Sequence, residues 1–216
     1  MIDYFELMKA KPEMFRNSEE KQSIRIVTDA DMIKKAELDL KKTIGIMYED
    51  EYIRVLRDLV IFPDDTLGTY IRIVNTKNGI GSICLVVCDG KVLFIEHYRH
   101  ALRRVSLELP RGFGEEGLSA EENAKKELFE ECGINVNEYT ALGRISSDSG
   151  ISADEPCVVF ARVGSQAISF NDSTEPIRKA VWLTLDEIYK AISDGKLTDS
   201  MSVAAVTLAV AKGKLK

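Results

Sequence analysis

Two hydrophobic periods divide the chain. Up to about residue 43 apolar residues recur at helical spacing. A first short segment from Tyr4 to Lys9 stops ahead of Pro12, and "DADMIKKAELDLKK" puts Met32, Ile33, Ala36 and Leu40 on one side behind a possible N-cap, Asp29. From Tyr52 the period shortens to two. "YIRVLRDLVIF" and "TYIRIVN" alternate around the turn cluster "PDDTLG" and predict an antiparallel hairpin. "IGSICLVVCDG" and "KVLFIEHYRH" predict two strongly apolar strands joined at Asp89-Gly90, a hairpin turn signal. "VSLELP" is a further short strand, followed by the loop "RGFGEEGL" and a helix. Beyond that helix, "NEYTALGRI" and "CVVFARV" read as strands around the acidic loop "SSDSGISADEP". "AVWLTLDEIYKAISDG" turns from strand to helix at Thr184, and "DSMSVAAVTLAVAKGK" is a last helix, apolar on one face. Mixed strands with helices inserted late predict an α+β fold, an α/β/α sandwich.

The helix after the glycine loop carries the first candidate chemistry. Ser119 and Glu122 form a capping-box pattern, Ala120, Ala124, Leu128 and Cys132 repeat every four residues, and Gly133 suits the C-terminal stop, so the helix spans about Ala120 to Cys132. Glu127, Glu130 and Glu131 then share one face near its C-terminus. Acids there oppose the helix dipole by about 0.3–1 kcal/mol each, and like charges at i, i+4 add a few tenths more. Two readings fit that cost. One is a solvated acidic face; the other is a divalent cation that reverses the repulsion, as magnesium does with oxygen ligands.

Composition narrows the functional classes. The 216 residues, 45% hydrophobic and 30% charged, suit one domain with a modest extension. A net charge of −6 argues against a general nucleic-acid or anionic-membrane binder. "MIDYFELMKA" does not read as a signal peptide, and the longest apolar stretch, residues 202–211, is about half a membrane span, so a cytoplasmic protein is expected. Cys84, Cys88, Cys132 and Cys157 lie in apolar segments without disulfide or zinc spacing and read as buried free thiols. His97 and His100 lack further ligands at zinc spacing.

The glycine loop, capped helix and E-x-x-E-E cluster together resemble the Nudix box, GX5EX7REUXEEXGU with U aliphatic. Gly112, Glu127, Leu128, Glu130, Glu131, Gly133 and Ile134 fall on their places, whereas Leu118 stands for a supporting glutamate and Lys126 for arginine. Lysine keeps the charge but loses the bidentate fork. "RDLVIFPDDTLGTYIRIV", "EHYRHALRRVSLELPRGF" and "DGKLTDSMSVAAVTLA" extend the likeness over about residues 47–212, toward the ADP-ribose pyrophosphatase branch. The corresponding division is an N-terminal helical extension (1–45), a small antiparallel sheet (46–76) and a Nudix domain (77–216).

The resemblance implies magnesium-dependent hydrolysis, with manganese an alternative, of a nucleoside diphosphate derivative. ADP-ribose or a nucleotide sugar would give AMP or another NMP and a phosphorylated moiety. It implies Glu127, Glu130, Glu131 and the backbone carbonyl of Arg111 as metal ligands. Gly112 would allow phosphate and backbone to approach, and Arg99 would meet the diphosphate. Asp154 or Glu155, on the loop before "CVVFARV", falls where the branch carries an acid that activates water. Glu108 is expected to partner the box loop, and Tyr98, Phe113 and Trp182 are aromatic candidates for stacking a base. A homodimer is expected through residues 47–76, with no nucleic-acid or membrane partner. The alternative function is a Nudix-like sensing domain that binds nucleotide without turnover, which Leu118 and Lys126 keep open.

Overall fold

The computed structural model describes residues 2–136, 138–164 and 176–216. They form two compact units, one reaching to Lys77 and including Asp148–Asp154, the other comprising Asn78–Ser147 and Glu155–Lys216.

The first unit opens with α1 (Tyr4–Ala10), capped by Asp3 and Glu6, and a single 3-10 turn at Pro12–Phe15. β1 (Arg25–Ile26), α2 (Ala30–Leu40), β2 (Gly45–Glu49), β3 (Ile53–Ile61) and β4 (Leu67–Asn75) follow. Asp29 caps α2 through the Met32 N–H, as its spacing predicts. β3 pairs antiparallel with β4 along its whole length, and with β2 and β1 in turn. β2 is a strand that the hydrophobic pattern did not announce; a register shift between Ile46 and Tyr48 breaks its alternation.

Tyr4, Leu7, Phe15, Ile33 and Ala36 from the helical segments pack in one cluster with Leu56, Leu59 and Val74 of the strands. The N-terminal segment and the small sheet therefore share a core rather than owning one each. A buried polar clasp reinforces it. Asp58, 2% exposed, accepts from the Tyr4 hydroxyl at 2.5 Å and from Arg72 Nε at 2.6 Å. Arg72 also donates to the Met14 carbonyl at 2.9 Å and lies over the Phe15 ring.

The second unit holds β5 (Ser82–Cys88), β6 (Lys91–Arg99), β7 (Arg104–Glu108), β8 (Arg111–Gly112), α3 (Ala120–Cys132), β9 (Tyr139–Arg144), β10 (Cys157–Arg162), β11 (Ile177–Leu183), α4 (Leu185–Ser193) and α5 (Ser200–Ala211). The strand order is β11-β6-β5-β10-β9, with β10 parallel to β5 and the other pairings antiparallel. Side-chain alternation sorts the two faces. Ile83, Leu85, Val87, Val158 and Phe160 pack with Ile188 of α4 and Ala205, Val206 and Ala209 of α5. Cys84, Val86, Val159 and Ala161 pack with Ala120, Ala124, Leu128 and Cys132 of α3. The α/β/α sandwich follows from this period-two division. α5 departs from the one-faced helix read in its sequence: between its two end residues, only Thr207 is exposed.

One irregularity of the sheet prepares the site. β5 and β6 turn at Asp89 (φ 48°) and Gly90 (φ 76°), the left-handed pair that a two-residue hairpin requires. Only Val87↔Val92 and Cys88↔Lys91 pair before the strands part. Beyond them β6 takes β7 as its neighbour and β5 takes β8, so the strap from Glu108 to Gly112 enters the opening between them.

Candidate active site

α3 sits as its sequence predicts. Ser119 and Glu122 complete a reciprocal capping box, and Gly133 at φ 65° closes the helix with its N–H on the Leu128 and Phe129 carbonyls. The three glutamates do not share one environment. Glu131 is 5% exposed, Glu127 is half-buried, and Glu130 is exposed beside Lys126 at 3.7 Å. Glu127 and Glu131 face the sheet: with burial as the larger cause, both carboxylates push the Cys84 thiol well above its usual range. Cys132 is likewise raised, to about 12, by burial and then Glu131. Cys84, Cys132 and Cys157 are the buried free thiols expected; Cys88 is only half-buried.

Gly112 is where the loop meets the helix. A Cβ at this position would overlap the Glu127 carboxylate, so only glycine lets the strap lie against that group. Next to it, the backbones of Gly79 and Gly114 cross so closely that a Cβ on either would strike the other. Asn123, fully buried on α3, fastens the same loop: its Nδ2 donates to the Phe113 carbonyl at 3.0 Å and to Ser82 Oγ at 3.1 Å. Lys126 pairs with Glu115 as well as Glu130, and the Glu115 hydrogen bond is the largest cause of its raised pKa. An acid thus supports Lys126 from position 115, while Leu118 is half-buried.

The strap is held from its other side by charge. Glu108, wholly buried, takes a two-pronged bond from Arg99 and lies 3.7 Å from Arg111 Nη2 and 3.6 Å from His97. Arg111 opens the box loop, so Glu108 partners that loop as expected, and it does so alongside the Arg99 guanidinium. Arg111 also reaches Asp199 at 3.3 Å. Asp199 caps α5 and accepts from Ser202 Oγ at 2.7 Å, and Ser202 Oγ accepts the Leu109 N–H at 2.8 Å. Asn123, Asp199 and Ser202 were not singled out in the sequence; the one available signal was an asparagine on the apolar side of α3. Arg99 is placed with Glu108, its side chain 30% exposed. Of the aromatic candidates, Phe113 is exposed, while Trp182 packs against the α3-side core.

The acidic loop after β9 divides between the units. Residues 148–154 fasten to β4: Ile73 N–H donates to the Ile151 carbonyl at 2.7 Å, Ala153 N–H donates to the Ile73 carbonyl at 2.9 Å, and Tyr70 OH meets the Gly150 carbonyl at 2.9 Å. Asp154 accepts from Asn75 Nδ2 at 2.9 Å. Glu155 belongs to the second unit and accepts from Ser146 Oγ at 2.7 Å. Arg99, Arg111, Gly112 and the three box glutamates lie in the second unit, Asp154 in the first.

Among the described residues no three His, Cys, Asp or Glu side chains are gathered to hold a metal ion by themselves. The donor chemistry nevertheless fits magnesium in its substrate-dependent form, which uses one or two carboxylates together with phosphate oxygens. Glu127, against the Cβ-free surface of Gly112, and buried Glu131 supply two hard oxygen donors on one side of α3. No described helix is long and apolar enough to cross a membrane.

The chain is 24% identical over 161 residues to an ADP-ribose pyrophosphatase of Bacillus subtilis (strain 168), covering 68% of this chain and 86% of that protein. It is 28% identical over 131 residues to a methanol dehydrogenase activator of Bacillus methanolicus (59% and 70% covered), and 28% identical over 147 residues to a putative nudix hydrolase 2 of Caenorhabditis elegans (64% and 65%). A crystal structure of an ADP compounds hydrolase superposes with a TM-score of 0.68 at 20% identity, over 80% of this chain and 93% of that one, a likeness of fold. A NUDIX domain family model matches residues 77–201, more than half of the chain and the stretch that holds the strap, α3 and their glutamates. With the box helix, its glycine cradle and that match in agreement, the chain belongs to the Nudix hydrolase family.

Proposed function

We propose that this Nudix hydrolase cleaves the diphosphate of a nucleoside diphosphate derivative, ADP-ribose or a nucleotide sugar, to a nucleoside monophosphate and a phosphorylated partner, with magnesium as its cation. The observation that carries this reading is the Glu127 carboxylate seated on Gly112 with Glu131 buried one turn along. When bound, the cation neutralises diphosphate charge, orients the substrate and acidifies water. Glu127 and Glu131 are assigned as its ligands, joined by Glu130 and the Arg111 carbonyl as the resemblance implies. Glu108 occupies Arg99 Nε and Nη2, which leaves Nη1 outside that pair to meet a phosphate oxygen. The resemblance offers Asp154 or Glu155 as the water-activating base, and of the two Glu155 lies in the unit that holds the box glutamates. Similarity to an ADP-ribose pyrophosphatase supports the substrate class.

The test is release of nucleoside monophosphate, resolved by chromatography, from ADP-ribose, ADP-glucose, NADH, diadenosine polyphosphates and coenzyme A, with magnesium and with chelator. Magnesium-dependent cleavage of ADP-ribose or ADP-glucose is expected. Binding without turnover across the panel would overturn the reading in favour of a sensing domain. A homodimer is proposed through the small sheet, whose Tyr48 and Ile71 are 52% and 40% exposed. Light scattering on Ile71→Lys should then show a shift toward monomer, and an unchanged mass would remove this assignment.

A further inference from the structure

The end of the second unit's sheet opposite the glycine loop carries a groove of about 330 Å³, lined by Val87, Val92, Leu185, Leu215, Arg162 and the C-terminal lysines Lys214 and Lys216. Its place on β5 separates it from the candidate active site. Gly112 and Arg111 pair with Ser82 and Ile83, whereas the groove begins at Val87, four residues further on, or roughly 13 Å along a strand at 3.3 Å per residue. The chemistry of its walls is uneven. Val87, Val92 and Leu215 are buried and make an apolar floor. Around it stand three cations, and none of the lining residues is acidic.

The cations are also held. Arg162 and Lys214 both lie over the Phe160 ring, at 5.2 and 5.6 Å, and Arg162 Nη2 donates to the Lys214 carbonyl at 3.2 Å. Ring contacts of this kind position a cation without cancelling its charge. The acids next in sequence to the lining are Asp89, which receives the Cys88 thiol, and Asp186 and Glu187 in the first turn of α4; Glu187 is engaged by Thr184. In a chain whose net charge is −6, the apolar floor is lined by three cationic side chains and by no acidic one.

We propose that this groove is a second, non-catalytic site for a small phosphorylated molecule with an apolar body. A phosphate dianion suits clustered cations better than a carboxylate does, because it offers more acceptor oxygens and more charge. The floor suits a base or a similarly flat group, and the volume lies at the lower end of ligand-sized cavities. The nucleoside monophosphate that the proposed reaction would release has this chemistry, and the choice of that molecule as probe rests on that reading; the groove itself does not.

The test is calorimetric titration of the whole chain with AMP, inorganic phosphate and adenosine, all with chelator so that no cation assists the glutamate site. AMP should bind, at least tenfold more tightly than either fragment. Binding should be unchanged in Glu131→Gln, weakened at least tenfold in Arg162→Gln/Lys214→Gln, and weakened by added salt. Lys216→Glu, at an exposed position, provides a second variant should the double substitution disturb packing on Phe160. No AMP binding, binding that survives both groove variants, binding lost in Glu131→Gln, or phosphate binding as tightly as AMP would each overturn the proposal. None of these results depends on turnover, so failure here and failure to cleave ADP-ribose remain distinguishable.

Discussion

Replacing Gly112 with alanine tests the geometry on which the catalytic reading stands. The added methyl would fall well within 3.0 Å of the Glu127 Cδ and both carboxylate oxygens, so the carboxylate must retreat by more than an ångström. Glu127 is half-buried and can swing outward, and φ at Gly112 is not in the left-handed region. The cost to folding is therefore small, of the order of 1 kcal/mol, as for a modest overpacking. Its effect on turnover is larger, because a displacement of about 1 Å in a positioning group lowers rate by about 10²-fold, near 2.7 kcal/mol. The assay compares kcat and KM for ADP-ribose across a magnesium series, with the melting temperature measured in chelator. The expected signature is a kcat about a hundredfold lower, a higher magnesium requirement and a melting temperature within a few degrees of the parent. Parent-like kcat at every magnesium concentration would refute the placement of Glu127 as a ligand seated on Gly112. A large fall in melting temperature would show instead that the contact is structural.

Further expectations concern single groups. Glu131→Gln should lose most turnover yet fold, slightly more stable without metal because a charge opposing the α3 dipole is gone; unchanged activity would remove Glu131 from the site. Tyr4→Phe removes a hydrogen bond to buried Asp58 and should cost about 1.5–3 kcal/mol in a denaturant melt, whereas a change below 0.5 kcal/mol would mean the clasp is not stabilising. Ser202→Ala strips the partner from the Leu109 N–H and should cost about 1–3 kcal/mol, with catalysis reduced in the folded fraction. Glu122 and Glu187 are held below the ordinary 4.5 chiefly by the cap backbone N–H groups of Ser119 and Thr184. A depressed carboxylate stabilises above its unfolded pKa and loses that contribution as pH falls through the folded one. Melting temperatures of Glu122→Gln/Glu187→Gln should accordingly fall less steeply than the parent's below pH 4.5, and parallel curves would count against the capping boxes as a source of acid sensitivity.

What could be read in advance was chiefly local. The bounds of α3 follow from Ser119, Glu122 and Gly133, and the β5–β6 turn follows from Asp89-Gly90, because caps and two-residue turns are set by neighbours a few positions away. β2 pairs with the next strand, but a register shift interrupts its alternation; β8 exists through pairing with β5, some thirty residues earlier, and is only two residues long, so no hydrophobic period could reveal it. The same division holds at the site. The glutamates and Gly112 were legible as a motif, but Ser202 acts on Leu109 across 93 residues and Asn123 on Ser82 across 41. Arg99 shows the converse: its motif position pointed to substrate, and its structural environment adds a buried acid that engages two of its nitrogens.

The stitching of residues 148–154 onto β4 bears on how this protein can be cut. A fragment beginning at residue 77, the natural choice from the family match, would keep that loop in its chain but discard the strand that supplies its hydrogen bonds. The Gly150 and Ile151 carbonyls and the Ala153 N–H would lose Tyr70 and Ile73, and Asp154 would lose Asn75. The shortest self-consistent expression fragment is thus longer than the homologous domain. Any circular permutant or fusion would have to keep β4 in register with a loop more than seventy residues downstream.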